Sequence, residues 1–325
     1  MEIVLYSGVF LGCAMILYVS GEWVVQGMMR ISRLFGIREF VLAFFVMAMA
    51  SSIPNLFLGV TSALRGVSEL SLGDVFGNNI IAMTVAVAAS VFFARRKFIE
   101  AEGQTVKTAM IFTAIAAILP VILIIDGNLG RVDGIILIGL FLTYTTWLIS
   151  QNKRFSKKYN GEKTRNFAEL AIQIKKSIKS SFLALAGVAL LILAAIGIVS
   201  SASFFAARFG ISTLIIGLFI VGLGNALPEI YFSVASVRRG ETSFVMSNLM
   251  GAVIVPATLV LGVVALIHPI ETHGLALLTA SRVALITATL LFFVFAVTHR
   301  RIDRIEATIL LILYIAFVSW AAFVY

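Results

Sequence analysis

The chain has 325 residues, of which 60% are hydrophobic and 13% charged, with a mean hydropathy of +1.05. A water-soluble domain carries about twice that charged fraction, so a soluble α/β enzyme built around one apolar core is excluded. The formal net charge of +9 does not point to nucleic acid, because the basic residues sit in short segments between long apolar runs.

A hydrocarbon core about 30 Å thick is crossed by roughly 20 apolar residues in helix. Runs of that kind occupy 3–28, 38–64, 71–94, 106–125, 132–151, 181–205, 211–237, 243–267, 274–298 and 305–324. They are continuous rather than alternating, which excludes a closed barrel and leaves helices as the way to satisfy the backbone in lipid. The expected fold is an all-α polytopic membrane protein with ten transmembrane helices. The first run follows Met1-Glu2 without a basic leader or a small-residue cleavage site and is read as a retained span. Cys13, the only cysteine, lies inside that run, so disulfides and paired-thiolate metal sites are excluded.

Orientation follows from the basic residues. The alternate segments 29–38, 95–107, 152–180, 238–242 and 299–304 hold 21 of the 25 Lys and Arg residues. Arg65, Arg131, Arg208 and Arg282 lie on or near the other side. The positive-inside rule then places both termini outside and 152–180 in the cytoplasm, with the inner or plasma membrane of the cell as the expected location. Segment 152–180 carries nine basic and two acidic residues. It reads as a solvated linker, whose part from Phe167 to Ile178 has the alternative of an amphipathic helix on the inner leaflet.

The two halves are related at an offset of 174 residues. Phe35-Gly36-Ile37 faces Phe209-Gly210-Ile211, and without a gap Phe45 falls on Phe219, Pro54 on Pro228 and Ser62 on Ser236. Arg65-Gly66 falls on Arg239-Gly240 and Gly77 on Gly251. Apolar helices match by chance in Leu, Ile and Val, but not at Pro, Arg-Gly and Gly together. Five spans per half is an odd number, so the second copy enters the membrane from the opposite side. The chain therefore divides into 1–151, a basic linker 152–180, and an inverted copy 181–325. Inverted repeats of this kind are typical of secondary transporters, with the site where the repeats meet near the midplane.

Each repeat carries a helix expected to be interrupted in mid-membrane, at Ala50-Ser51-Ser52-Ile53-Pro54-Asn55 and at Gly224-Asn225-Ala226-Leu227-Pro228-Glu229. Proline removes one N–H and frees a carbonyl four residues earlier, which a cation can take up. An ordinary kink satisfied by Ser or water is the plainer explanation of one such proline, less so of two at matched positions. Glu229 lies near the middle of its span, where an ionised carboxylate is rare unless it is functional. Ser233, Ser236 and Asn225 share its side of the helix. The following spans read Ser71-Leu-Gly73-Asp74-Val-Phe-Gly77-Asn78-Asn79 and Ser247-Asn248-Leu-Met-Gly251-Ala252. Close helix packing accounts for the glycines but not for Asp74, Asn78 and Asn79. Asp74 lies nearer the outer end than Glu229, so solvation at the interface is an alternative for it. His268, His273 and His299 flank span ends. No Ser-His-Asp arrangement, P-loop or dinucleotide fingerprint occurs in a fitting context, which argues against an enzyme.

The run Gly21-Glu-Trp-Val-Val-Gln-Gly27, the Phe35-Gly36-Ile37 element, the Ser-x-Pro motif and Gly-x-x-x-Gly-Asn-Asn resemble the calcium/cation antiporter superfamily, the sodium/calcium exchangers. The resemblance covers nearly the whole chain and implies ten spans in two inverted five-helix repeats. It also implies a cation site with a hydroxyl residue, Ser, Pro and Glu in each repeat, followed by a Gly-Ser-Asn-x-x-Asn/Asp element. Carried over, the two central glutamates fall on Asn55 and Glu229, and the hydroxyl-Ser pair on Ser51 and Ser52 but on Asn225 and Ala226 in the second repeat. The later Ser falls on Asn78 and Ala252, and the last ligand positions on Ala82 and Pro256. One carboxylate of the usual pair is thus missing. The expected ligands are Glu229, Asn55, Ser51, Ser52, Asn225 and Asn78, with Asp74 a seventh only if it reaches inward.

The resulting expectation is a cation antiporter with a degenerate site, exchanging sodium, protons or calcium by alternating access. Its partners are membrane lipids and inorganic cations, not nucleic acid, and it needs no cofactor beyond the transported ions. The missing ligands also motivate a second reading, a non-transporting membrane sensor or partner subunit on an exchanger scaffold.

Overall fold

The computed structural model describes the backbone of residues 2–34, 39–100, 104–155, 167–240, 242–272, 275–298 and 300–324. Side chains are described for these residues except 21–22, 24–34, 39–51, 100, 104–105, 151–155, 167–185, 239, 242–244, 247, 275–276 and 324.

Ten helical rods follow one another. They are α1 (Glu2–Leu34), α2 (Glu39–Leu64), α3 (Glu69–Ile81, through a π-turn Ala82–Ala86 into Val87–Phe93), α4 (Gln104–Leu123) and α5 (Arg131–Phe155). The second five are α6 (Phe167–Phe209), α7 (Thr213–Ile215, through a π-turn Ile216–Val221 into Gly222–Arg239), α8 (Thr242–Val255, through a π-turn Pro256–Val260 into Leu261–Ile267), α9 (Leu275–Thr298) and α10 (Arg304–Val324). Among the described residues nine rods are long and apolar enough to cross a membrane, and the described part of α2, Ser52–Leu64, is a shorter apolar helix. Each of the ten predicted runs falls on one rod, and the first and sixth rods extend beyond theirs.

Two short antiparallel ribbons fix the ends of the bundle. β1 (Phe98–Glu100) pairs with β4 (Arg301–Asp303), and β2 (Asn128–Leu129) pairs with β3 (Ile270–Glu271). The α3–α4 and α9–α10 connections therefore share one end, and the α4–α5 and α8–α9 connections share another. Arg238, late in α7, lies 4.9 Å over the Phe93 ring at the end of α3. At the β2–β3 end, Ser68 Oγ and His268 Nδ1 are 3.3 Å apart. Connections of odd and even order thus separate, as rods that run alternately up and down require.

The repeat is visible in local detail. The π-turns Ala82–Ala86 and Pro256–Val260 stand at the offset of 174. In each, a threonine hydroxyl donates to the carbonyl four residues earlier, Thr84 to Ile80 at 2.5 Å and Thr258 to Ile254 at 2.6 Å. Such side-chain donors compete with the backbone N–H and loosen the turn. Pro256 removes a donor from the second copy, where the first has Ala82. Gly66 and Gly240, also repeat partners, both end their helices with positive φ, 71° and 89°, the left-handed cap that glycine enters without strain.

Two features differ from the sequence expectation. The helices run unbroken through Pro54 and Pro228, because proline withdraws a single N–H and the remaining ladder is long enough to hold the rod. The 167–180 part of the linker is not a separate surface helix but the start of α6. That helix has 43 residues and is about 65 Å long, more than twice the hydrocarbon thickness.

α1 and α6 lie antiparallel against each other, with Tyr6 stacked on Phe204 at 3.9 Å and Gly197 opposite Cys13. They share an apolar cluster through Leu17, Leu191, Ala195 and Ile198 that also takes in Leu58 and Leu70. A larger cluster joins α3 and α8 to the surrounding helices. Every residue of α3 from Leu70 to Ile81 is buried.

α3 and α7 touch backbone to backbone. A Cβ on Gly77 would lie 2.1 Å from the Leu218 carbonyl oxygen, and one on Gly217 would lie 2.3 Å from that of Leu70. Overpacking a tight core costs about 1–3 kcal/mol. Gly77→Ala is therefore expected to lower the thermal unfolding midpoint of the detergent-solubilised protein measurably. Gly139→Ala, where a Cβ meets nothing within 4 Å, should leave it unchanged. Equal midpoints for the two variants would contradict this packing.

Candidate cation site

The glycine contact that lets α3 meet α7 also positions polar side chains. On α7, Asn225 and Glu229 are four residues apart and share a face. On α3, Ser71, Asp74 and Asn78 share a face by the same rule. A Cβ on Gly222, just before Asn225, would lie 3.0 Å from the Asp74 carbonyl oxygen and 2.9 Å from the Asn78 nitrogen. At that separation Asn225 Nδ2 donates to Asp74 Oδ1 at 2.7 Å.

α2 completes the surroundings. A Cβ on Gly59 would lie 3.0 Å from Ser71 Oγ, which fixes the register of the antiparallel pair α2 and α3. One turn further into the bundle on each helix come Asn55 and Asp74. Asn55 is 2% exposed and Asp74 wholly buried. Asp74 therefore stands between α2 and α7, the helices that carry Pro54 and Pro228.

Asn78 marks the centre. Its Nδ2 donates to the carbonyl of Ala252 at 3.4 Å, and Ala252 is its own repeat partner. A residue can touch its symmetry mate only close to the axis relating the copies. Asn78 thus lies at the pseudo-twofold axis, where α3 of one repeat meets α8 of the other.

The electrostatics are one-sided. Among the described residues no Lys, Arg or His is buried, whereas Asp74 and Glu229 both are. Asp74 Oδ2, Glu229 Oε2, Asn55 Oδ1, Asn78 Oδ1, Ser71 Oγ and Ser233 Oγ are buried without a hydrogen-bond partner among the described residues. Unpaired buried polar atoms are few in folded proteins, because each costs about 1–3 kcal/mol. Here six oxygens on three neighbouring helices are left open. A cation with shed hydration water is the species such oxygens suit.

The expected residues fall out as follows. Glu229, Asn55, Asn225, Asn78 and Asp74 lie on the helix faces just described. Asp74 is not solvated at an interface, since close packing on Gly217 and Gly222 draws it inward onto Asn225. Ser52 is buried on the Asn55 face of α2. The Ser51 side chain lies outside the described residues. Ser71 was not singled out by sequence, although its spacing of three from Asp74 was a usable signal. Asn79 is buried with both amide atoms unpartnered among the described residues, but one residue on from Asn78 it points about 100° away. Among the described residues no group of three or more His, Cys, Asp or Glu could hold a metal ion, so any ion here relies on amide and hydroxyl oxygens as well.

The comparisons with known proteins agree with this architecture. The family model described as sodium/calcium exchanger protein matches residues 5–150 and again 179–323. The chain is 27% identical over 312 residues to the putative antiporter CaxA of Alkalimonas amylolytica, covering 95% of this chain and 96% of that protein. It is 28% identical over 268 residues to the inner membrane protein YrbG of Escherichia coli strain K12, covering 82% and 80%. It is 23% identical over 330 residues to the sodium/calcium exchanger MaX1 of Methanosarcina acetivorans, covering 92% and 93%. The solved structure of the sodium-calcium exchanger NCX_Mj soaked with Na+ and Sr2+ superposes with a TM-score of 0.64 at 24% identity, covering 98% of this chain and 99% of that one, a likeness of fold. With one family model matching both of its halves, the chain belongs to the sodium/calcium exchanger family of membrane transporters.

Proposed function

We propose that the protein is a secondary active antiporter that binds its cation at Glu229 and exchanges sodium, protons or calcium by alternating access. The observation that carries this reading is the buried Glu229, with an open carboxylate oxygen and no buried basic side chain among the described residues to neutralise it. A carboxylate in a membrane interior is stable when it is protonated or holds a cation, and a group that alternates between those states is a carrier. Asn55, Ser51, Ser52, Asn225, Asn78 and Asp74 are the proposed further oxygen donors. In this reading residues 1–151 and 181–325 are the two inverted repeats, and 152–180 links them in the cytoplasm. The α1–α6 pair, joined by the Tyr6–Phe204 stack and by apolar contacts that extend to Leu58 and Leu70, is the element that slides past the remaining helices.

Glu229→Gln keeps the size and a neutral oxygen but removes the charge. In proteoliposomes it should abolish cation-gradient-driven flux while the purified variant elutes and melts as the wild type does. Wild-type flux in the variant would remove Glu229 from the mechanism.

Orientation has its own test. In a Cys13→Ala background, Asn128→Cys on β2 should react with a membrane-impermeant maleimide on intact cells. Lys97→Cys, at the β1–β4 end, should react only after permeabilisation. The reverse pattern would turn the topology over.

A further inference from the structure

We propose that Asp74 replaces the carboxylate that position 55 lacks, so that the acid pair of the site is Glu229 with Asp74 rather than with a residue on α2. The proposal deepens the antiport reading and rests on it for the identity of the site.

The register of α2 against α3 makes the exchange of positions possible. Gly59 lies against Ser71. The two helices are antiparallel, so one turn inward on α2 is Asn55, and opposite it on α3 is Asp74. A carboxylate at 74 therefore enters the same layer of the bundle as one at 55, from the neighbouring helix. Both side chains are buried, and each has one oxygen without a partner among the described residues, Asn55 Oδ1 and Asp74 Oδ2.

On its other side Asp74 is held from α7. Asn225 donates its amide to Asp74 Oδ1 at 2.7 Å, leaving Oδ2 open. Asn225 is one helical turn from Glu229, so the bond places the α3 carboxylate next to the α7 carboxylate along one line of side chains. Asn225 acts here as a positioning residue. Its repeat partner is Ser51, whose hydroxyl has neither the reach nor the second amide donor to copy the arrangement in the first half. The pair is thus asymmetric by construction: both acids lie on α3 and α7, and α2 contributes only neutral oxygens. Gly73, Gly77, Gly217 and Gly222 admit this geometry, because a Cβ on any of them would meet the facing backbone at 3.0 Å or less.

The test moves the charge back. Cation-dependent thermal stabilisation of the purified protein is measured with Na+ and with Ca2+ as separate probes, in parallel with flux. Asp74→Asn should weaken stabilisation by the bound ion at least about tenfold in apparent affinity, as expected for losing a charged partner. The double variant Asn55→Glu/Asp74→Asn should regain it to within about threefold of wild type. Should Asp74→Asn alone fail to fold, the double variant is compared directly with wild type and decides the question on the same threefold margin. Undiminished affinity in Asp74→Asn, or a folded double variant that stays as weak as the single one, would overturn the proposal. A wild type that is stabilised by cations but carries no flux would defeat the antiport reading and leave the acid pair standing.

Discussion

A carboxylate inside a bilayer persists only where a proton, a cation or a basic side chain neutralises it, and among the described residues two acids are buried, whereas no Lys, Arg or His is and Arg282 is only half-buried. The rest of the structure can be understood from that constraint. The two acids cannot both be ionised and empty without a large electrostatic cost, so their occupancy is tied to the species that reaches them. A site of this kind is loaded or protonated, and the change between those states is what a carrier needs. The open oxygens of Asn55, Asn78, Ser71 and Ser233 belong to the same balance. Each is a standing cost to the fold that an ion or water offsets.

Close packing is what allows those groups to meet. The α3–α7 contact is a backbone contact because glycines occupy both sides of it, and the resulting separation is short enough for Asn225 to span to Asp74. The π-turns in α3 and α8 stand at matched positions, one or two turns beyond Asn78 and Ala252, where the two repeats touch at their axis. An inserted residue at each place turns the helix face, so the polar side chains before the turn and the apolar ones after it satisfy different neighbours. By contrast, among the described residues α1 and α6 meet mainly through aromatic and small apolar side chains, the kind of surface that the proposed sliding needs. The Arg65 guanidinium, which donates to the Ser200 hydroxyl, ties α6 to the end of α2 on the outer side in the proposed orientation.

Much of this was legible in the sequence, for physical reasons that can be named. Ten apolar runs separated by basic segments leave little freedom in lipid, and the rods formed where the runs lie. The offset of 174 was readable at Pro54, Arg65-Gly66 and Gly77 because those residues have conformational roles that apolar drift does not mimic. Glu229 was legible because ionisable residues are rare at that depth. The inward position of Asp74 was not, since it depends on the register set by Gly59 against Ser71 and on the close approach at Gly217 and Gly222, and neither leaves a periodic trace. The ribbons are two or three residues long, too short for a strand pattern. The extension of α6 beyond the apolar run was hidden because hydropathy reports the membrane rather than the helix, and 167–180 is helical without being apolar. The ligands missing at Asn55, Ala82, Ala252 and Pro256 motivated the second reading, a non-transporting sensor or partner subunit. The buried Asp74 removes much of that argument, because the charge count need not have fallen when position 55 changed.

The proposed cation site lies between α2, α3 and α7 with Glu229 and Asp74 as its acids. The most direct measurement is anomalous scattering from crystals soaked in Sr2+, a divalent probe whose position can be assigned without reference to the protein map. A peak is expected within coordination distance of Oε2 of Glu229 and Oδ2 of Asp74, with amide oxygens from Asn55 or Asn78 completing the shell. A peak elsewhere in the bundle, or one that touches Glu229 while Asp74 remains turned away on Asn225, would contradict it.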